Sequence, residues 1–325
     1  ILIRTLYCGI CHSDIHQARS DWREETYPIV PGHEIVGEVV QVGSGVTRFK
    51  VGDIAGVGCM VNACRHCEYC ENDQEQYCME GRVLTYSDKD LYHDNEITRG
   101  GYSTNMVVDE SFAIRVPKDA PLEKVGPLMC AGITTWSPIM QCGIKAGDKV
   151  GVAGFGGLGH MAVQYLVSLG AEVTVFDITE EKRADALRLG AKRYVNVTRE
   201  EEMQGLDNTL RFILSTIPAS YDPMMYINIL KVGGTLAVVG MPAVKDAPQI
   251  NITALQNRYL TTSIIGGIKE TQEVVDYSVA HGIYPETVVI PADASAIDKA
   301  YRDVVDGKVK FRYVIDLKTI KTEKQ

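Results

Sequence analysis

Four cysteines in "CRHCEYCENDQEQYC", Cys64, Cys67, Cys70 and Cys78, follow the pattern C-x2-C-x2-C-x7-C. Thiolates this close together can wrap one tetrahedral zinc ion completely, and a site with no exchangeable position is structural. Their neighbours Glu71, Asn72 and Asp73 are hydrophilic and offer no core in which four unbridged thiols could be buried. A second chemistry is written in "VGVAGFGGLGH", where Gly154, Gly156 and Gly159 form G-x-G-x-x-G, with Gly157 inside the same turn. The first glycine permits a tight turn, the second lets a pyrophosphate approach the backbone, and the third lets helix pack on strand. Asp177 ends the next apolar run, 18 residues past Gly159, where a carboxylate can accept from the ribose hydroxyls of a nicotinamide dinucleotide. The same carboxylate would oppose the 2′-phosphate of NADP, a like-charge contact worth on the order of 1–4 kcal/mol at ~4 Å. NAD is therefore favoured, with Lys182 and Arg183 as the cations that could turn toward a 2′-phosphate. A third cluster, "GICHSDIH" at residues 9–16, packs a cysteine, two histidines, a serine and an aspartate into eight positions. A metal that acts on a substrate keeps three protein ligands and one open position. Cys11, His33 in "PGHE" and Cys130 in "LMCAG" are the candidates for such a set.

These groups need elements to hold them. Residues 1–130 are rich in Val, Gly and short alternating runs such as "EIVGEVVQVGSGVTRFKVGD", which predicts small antiparallel strands rolled into a barrel. The cysteine lobe, at about 59–80, is set into that domain. From 131 to 268 the rhythm changes to strand and helix in alternation: "KVGVAGFGG", "LGHMAVQYLVSLG", "AEVTVFD", "EEKRADALRLG", "KRYVNV", then the buried strands "LRFILSTI" and "GTLAVVG". That is the pattern of parallel βαβ units in a dinucleotide-binding domain. Residues 269–325 return to the first domain with a helix in "GGIKETQEVVDYSVAHGIYPE" and a closing strand in "KFRYVIDL".

A chain of 325 residues is long enough for two hydrophobic cores. Its 33 basic and 42 acidic side chains give a net charge of −9, and no Lys/Arg run marks a phosphate-tracking stripe, which argues against a nucleic-acid partner. The longest apolar stretch, between Lys149 and Phe176, is interrupted by glycines, His160, Gln164 and Glu172, so no membrane span is expected. Nine cysteines are too few for a disulfide scaffold, and their clustering points to metal in a reducing cytoplasm. The chain opens without Met in what reads as a strand, and a further N-terminal segment is expected before it.

Taken together, "GICHSDIH", "PGHEIVGEVVQVGSGVTRFKVGD", the four-cysteine lobe, "GGYS", "CAGITTWSP", "GFGGLGH", "GGIKETQE" and "KFRYVIDL" resemble the zinc-dependent medium-chain alcohol dehydrogenases, and among these the cinnamyl alcohol dehydrogenase branch. The likeness runs over essentially the whole chain. It implies an α/β protein with a GroES-like antiparallel β-barrel catalytic domain and a Rossmann doubly wound parallel sheet. It also implies two zinc ions per chain, a small alcohol or aldehyde substrate, no nucleic-acid or membrane partner, and a homodimer. The family's catalytic zinc ligands fall on Cys11, His33 and Cys130, with Glu34 as an occasional fourth. Asp14 falls on the carboxylate that orients the histidine ligand, and Ser13 and His16 on a proton relay through the nicotinamide ribose. His12 and Arg312 fall on pyrophosphate contacts, and Thr134 and Leu158 on residues flanking the nicotinamide. Trp22, Tyr86, Trp136 and Ile265 fall near the substrate pocket, while His66, His93, His160 and His281 receive no role. Cys8, Cys59 and Cys142 are expected to pack as small apolar groups.

The implied reaction is hydride transfer between a primary alcohol, aromatic or allylic ones among the candidates, and the nicotinamide. Asp177 departs from the branch, which usually carries small hydroxyl residues or a nearby basic residue there. Two other readings use the same residues. A relative that reduces a conjugated alkene or iminium would be marked by loss of the relay, and a non-catalytic dinucleotide-binding zinc protein by loss of Cys11, His33 or Cys130. Relay and ligands are all present.

Overall fold

The opening apolar run forms a nine-residue strand, Leu2–Ile10, around which the first unit of the molecule is built. It pairs antiparallel with Arg312–Asp316, Ile35–Gln41 and Asn105–Val107. The resulting sheet runs in the order Thr287–Pro291, Arg312–Asp316, Leu2–Ile10, Ile35–Gln41, Ile54–Val57, Ile114–Val116, with Asn105–Val107 beside Leu2–Ile10. Period-2 alternation, reset in Leu2–Ile10 by a register shift between Thr5 and Tyr7, sends Ile3, Cys8, Ile10, Ile35, Val39 and Val57 into one buried cluster with Phe112. A two-stranded ribbon, Met60–Asn62 with Val83–Leu84, closes the base of the four-cysteine lobe. The computed structural model describes residues 1–242 and 250–320. They divide into two units: Ile1–Ile133 together with the chain returning from Ile265, and Thr134–Ile264.

The returning chain is richer than its sequence suggested. Instead of one helix and one strand it holds two of each: the helices Ile268–His281 and Ala294–Val305, and the strands Thr287–Pro291 and Arg312–Asp316. The second helix is dictated locally. Asp293 caps it by accepting the Ala296 N–H at 3.0 Å, and Ile297, Ala300, Tyr301 and Val304 recur at helical spacing. The two strands pair in parallel, which a helical crossover between them permits.

The second unit is a six-stranded, wholly parallel sheet in the order Arg193–Asn196, Glu172–Asp177, Lys149–Ala153, Leu210–Ser215, Leu230–Val238, Tyr259–Thr262. Numbered within the unit this is 3-2-1-4-5-6, the Rossmann order, and its switch point lies between Lys149–Ala153 and Leu210–Ser215. The central strands are continuously buried, as strands covered on both faces must be. Phe176, Ile213, Tyr226 and Leu236 anchor their core. The glycine loop leaves the end of Lys149–Ala153, at the switch point.

One position in the first sheet tests this packing. Gly37 faces Thr5 across the ladder, and a Cβ there would stand 2.3 Å from the Arg4 carbonyl oxygen and 2.5 Å from Ile3 Cγ2. Gly37→Ala is expected to destabilise the fold by about 1–3 kcal/mol in urea denaturation. Gly45→Ala, with open space around it, should stay within about 0.5 kcal/mol of the parent.

Candidate functional site: two thiolate clusters and a glycine loop

The lobe between Asn62 and Val83 brings the sulfurs of Cys64, Cys67, Cys70 and Cys78 within 4.8 Å of one another. Two sulfurs on one tetrahedral zinc, each at about 2.3 Å, stand about 3.8 Å apart, and Cys64 and Cys70 are 3.8 Å apart here. Backbone N–H groups are aimed at the sulfurs: Cys67 at Cys64 Sγ (3.3 Å), Cys64 at Cys78 Sγ (3.4 Å), Met79 at Cys67 Sγ (3.5 Å). Such donors favour the thiolate, the form a metal binds. The Met79 N–H is the first cause that pulls the Cys67 pKa down to about 6. The donor set fits a closed tetrathiolate zinc site.

The second cluster is fully inside the first unit. Ligand atoms of Cys11, His33, Glu34 and Cys130 lie within 4.8 Å of one another, and all four residues are buried. Leu2–Ile10 delivers Cys11 to the N-cap of the helix His12–Ala18. Cys11 N–H donates to Asp14 Oδ2 at 2.9 Å, one half of a capping box. The other oxygen, Asp14 Oδ1, accepts from Gly32 N–H at 3.1 Å and bonds His33 Nδ1 at 3.2 Å. With Nδ1 committed to the carboxylate, Nε2 is the nitrogen left to ligate, and it lies 3.2 Å from Cys130 Sγ. The Cys11 and Cys130 sulfurs are 3.9 Å apart, again the edge of a zinc tetrahedron.

Glu34 completes this cluster in an unusual state. Neither of its buried carboxyl oxygens has a hydrogen-bond partner, Arg312 Nη2 stands 3.5 Å away, and burial pushes its pKa up to about 7. An orphaned carboxylate beside two thiols and an imidazole is the environment a divalent cation satisfies. Gly9 makes the room, since a Cβ there would fall 1.9 Å from Glu34 Oε2. Arg312, expected at a pyrophosphate, is itself buried, with its guanidinium turned to Glu34 and to the Ile10 carbonyl at 3.1 Å.

Ser13 Oγ sits 3.7 Å from Cys11 Sγ. His16 Nδ1 is 2.8 Å from Asp21 Oδ2, which leaves Nε2 buried with no protein partner. Asp21 was not singled out in the sequence, although an acid five residues after the histidine expected in the relay is a signal that could have found it. Trp22 lies tilted against His16 at 5.1 Å between centroids, and Tyr86 stacks on His33 at 5.9 Å. Burial holds the pKa of His12 below its ordinary value. Cys59, expected as an apolar filler, lies at the edge of this cluster: its Sγ is 3.9 Å from the Met129 carbonyl oxygen, and hydrogen bonding with Cys130 holds its thiol pKa below the ordinary value. No feature of the spacing announces that proximity. Ile265, a β-branched residue, adopts φ +45°, a strained left-handed conformation.

In the second unit Gly154 has φ +85°, as its tight turn requires. A Cβ on Gly159 would lie 2.0 Å from the Gly154 carbonyl oxygen, whereas one on Gly156 would meet nothing within 4 Å. Gly157 and Leu158 lead into the helix Gly159–Ser168. The Asp177 carboxylate is tied down by its own chain. Phe155 N–H reaches Oδ2 at 2.8 Å, and Ile178 N–H and Thr179 N–H reach Oδ1 at 2.8 and 3.1 Å. Lys182 Nζ stands 3.5 Å from Oδ2. Arg183 is held elsewhere, by Glu180, Glu202 and the ring of Tyr194. Thr134 is buried on the helix Ala131–Gln141, and Trp136 on the same helix packs edge-on against Tyr165 at 5.3 Å.

Of the remaining histidines, His66 pairs with Glu80 at 2.7 Å and His93 with Asp90 at 2.8 Å. His160 Nδ1 is 3.1 Å from the Gly156 carbonyl oxygen, and His281 stacks on Tyr277 at 4.0 Å.

Residues 1–118 match the model of the alcohol dehydrogenase GroES-like domain, and residues 157–280 that of the zinc-binding dehydrogenases. A mannitol dehydrogenase of Petroselinum crispum is 44% identical, over 99% of this chain and 95% of its own. The crystal structure of CAD from Helicobacter pylori, complexed with NADP(H), is 51% identical with a TM-score of 0.92, covering 99% of this chain and 91% of its own. A cinnamyl alcohol dehydrogenase of Sorghum bicolor is 36% identical with a TM-score of 0.95, covering 100% and 92%.

Asp14→Asn removes the charge beside His33 while keeping the side chain's size. Chelator competition is expected to show one class of bound divalent metal weakened about 10–100-fold, with the four-cysteine class unchanged; equal retention of both classes would sink this assignment.

Proposed function

The chain belongs to the zinc-binding alcohol dehydrogenase family, and from that premise we propose that it moves hydride between a primary alcohol, aromatic or allylic in kind, and NAD. The observation that carries this reading is the buried set of Cys11, His33 and Cys130 within one ligand sphere, beside the Ser13 hydroxyl. Cys11, His33 and Cys130 would hold one zinc ion and the four-cysteine lobe a second. When bound, the first would supply Lewis acidity at the alcohol oxygen, and the dinucleotide the hydride acceptor.

The chain's own residues do the rest. Asp14 fixes the His33 tautomer through Nδ1, so that Nε2 presents its lone pair. Ser13 Oγ takes the alcohol proton as it gives up its own toward His16, whose ring is held by Asp21 at Nδ1 and whose unpartnered Nε2 is the site that accepts it. In aldehyde reduction the same groups deliver the proton in the opposite direction.

The dinucleotide rests on the turn of Gly154, Gly156 and Gly157, where the open space at Gly156 leaves the backbone approachable. His12, its pKa held low by burial and so a neutral imidazole, offers a ring N–H to the pyrophosphate, while Arg312 is turned inward to Glu34 and steadies the buried cluster instead; Thr134 and Leu158 flank the nicotinamide. Asp177 at the end of its strand favours NAD because its charge opposes a 2′-phosphate. Lys182, beside that carboxylate, is the residue through which NADP would be tolerated. The protein works as a homodimer through the outermost strand of the parallel sheet, Tyr259–Thr262, whose Tyr259 is exposed. It works in the cytoplasm, a setting in which its cysteines, all free in this structure, stay reduced. Among the described residues no helix is long and apolar enough to cross a membrane.

Initial rates with cinnamaldehyde and a short aliphatic aldehyde, each with NADH and NADPH, test this directly. Turnover with NADH preferred at least tenfold is expected, and Asp177→Ser should shift the ratio toward NADPH by about tenfold or more. Preference for NADPH in the parent would overturn the cofactor assignment alone. Absence of turnover in protein carrying a single zinc per chain would overturn the enzyme reading.

A further inference from the structure

Away from both thiolate clusters, the first unit has a groove of about 430 Å³ lined by Arg48, Lys50, Arg115 and Lys118, with Phe49 at its side and Asp53 as the lone carboxylate. Its walls come from the turn that joins Ile35–Gln41 to Ile54–Val57 and from the strand Ile114–Val116, which pairs with Ile54–Val57 through Arg115 opposite Ala55. Four cations against one anion is a local reversal of a chain whose net charge is −9. Like charges gathered this closely repel unless something of opposite sign joins them.

The cations are arranged, and the protein balances them only in part, through Asp53 beside Lys118 and the field of Glu110 at Arg48. Arg48 and Arg115 both stand 5.9 Å from the centroid of the buried Phe49 ring, a cation–π seat that limits their motion. Each spends one N–H direction on a backbone carbonyl: Arg48 Nη1 on Glu110 O at 2.9 Å, and Arg115 Nη2 on Arg48 O at 2.9 Å. Among the described residues no carboxylate lies within ion-pair distance of Arg48, Lys50 or Arg115, and Lys118 reaches Asp53 only at 3.9 Å. The nearby Glu110 carboxylate is taken by the backbone N–H groups of Thr47 and Arg48, and Asp53 Oδ2 by that of Lys50 at 3.0 Å.

Two guanidinium forks with several donors uncommitted, flanked by two ammonium groups, match the charge and geometry of a phosphoryl group. The volume falls in the range of ligand clefts, ~300–1,000 Å³, and leaves room beyond the phosphate. We propose that this groove binds the phosphoryl end of a small phosphorylated metabolite, at a site separate from the reaction centre. The inference stands whether or not the dehydrogenase reading holds, since none of its residues belongs to the metal or dinucleotide sets.

Inorganic pyrophosphate serves as the probe, titrated calorimetrically into zinc-loaded protein already saturated with NADH, so that the dinucleotide's own phosphate contacts are occupied. Binding is expected to weaken at least tenfold in Arg48→Gln/Lys50→Gln and about threefold in Lys50→Gln alone, and to fall steeply with added salt. Lys50 is exposed and bonds no neighbour through its side chain, so its single variant keeps the parent fold and aldehyde-reduction rate. No binding to the parent protein, or binding equally strong in both variants, whether at a metal or elsewhere, overturns the proposal.

Discussion

Asp14 is fully buried and ionisable, and what makes that tolerable is that three groups converge on it: the Cys11 N–H, the Gly32 N–H and the His33 imidazole. Removing a carboxylate from water costs several kcal/mol even after the protein relaxes, and only hydrogen bonds or an opposite charge offset this. The first of these bonds caps the helix His12–Ala18, and the other two join its start to the turn that carries His33. One interaction therefore fixes where Cys11 points, which tautomer His33 adopts and how two segments 22 residues apart meet. The rest of the buried cluster depends on it, because Cys130 enters from a third segment and meets a geometry already set.

The charges inside this cluster constrain each other. Cys11, Cys130 and Glu34 are acids and Arg312 is the buried base opposite them. With both thiols ionised, the group carries more negative charge than Arg312 can balance, and a divalent cation restores neutrality. Glu34 is the adjustable member. Its pKa near 7 means that its charge can follow that of the ligands around it. Gly9 and Gly126 are required by this carboxylate and its backbone: a Cβ on either would strike Glu34, at 1.9 Å and 2.5 Å.

What the sequence disclosed about this arrangement depends on distance along the chain. The four-cysteine lobe was legible because its ligands are local: their spacing alone brings the sulfurs within one coordination sphere. The glycine loop was legible for the same reason, its three glycines marking a turn, an open approach and a close helix contact. The buried cluster was legible only through resemblance, because His33 and Cys130 are 97 residues apart and nothing in their spacing joins them. The position of Cys59 beside Cys130 and the inward turn of Arg312 depend on tertiary packing and left no local mark. The helix Ala294–Val305 did leave one, in the Asp293 cap and the apolar spacing after it. The strand Thr287–Pro291 is more obscure: it lies at the edge of its sheet with Val288 and Val289 exposed, so the alternation that reveals half-buried strands is missing.

Under the proposed reading, cofactor discrimination turns on how much freedom Asp177 retains. An ionised carboxylate has about four acceptor sites. Here Phe155, Ile178 and Thr179 fill three of them through backbone N–H groups, and the Thr179 hydroxyl stands at 3.2 Å. The backbone donors are fixed by the strand end and the glycine loop, so the carboxylate is oriented before any ligand arrives and loses little entropy on binding. The Thr179 hydroxyl and the Lys182 ammonium are the displaceable members. A ribose that offers two hydroxyl donors can replace them and keep the carboxylate satisfied. A 2′-phosphate offers no donor and a like charge, and is accommodated only if Lys182 leaves Asp177 for the phosphate, which strips the carboxylate of its counter-ion. The proposed discrimination therefore rests on one lysine that cannot serve both anions at once.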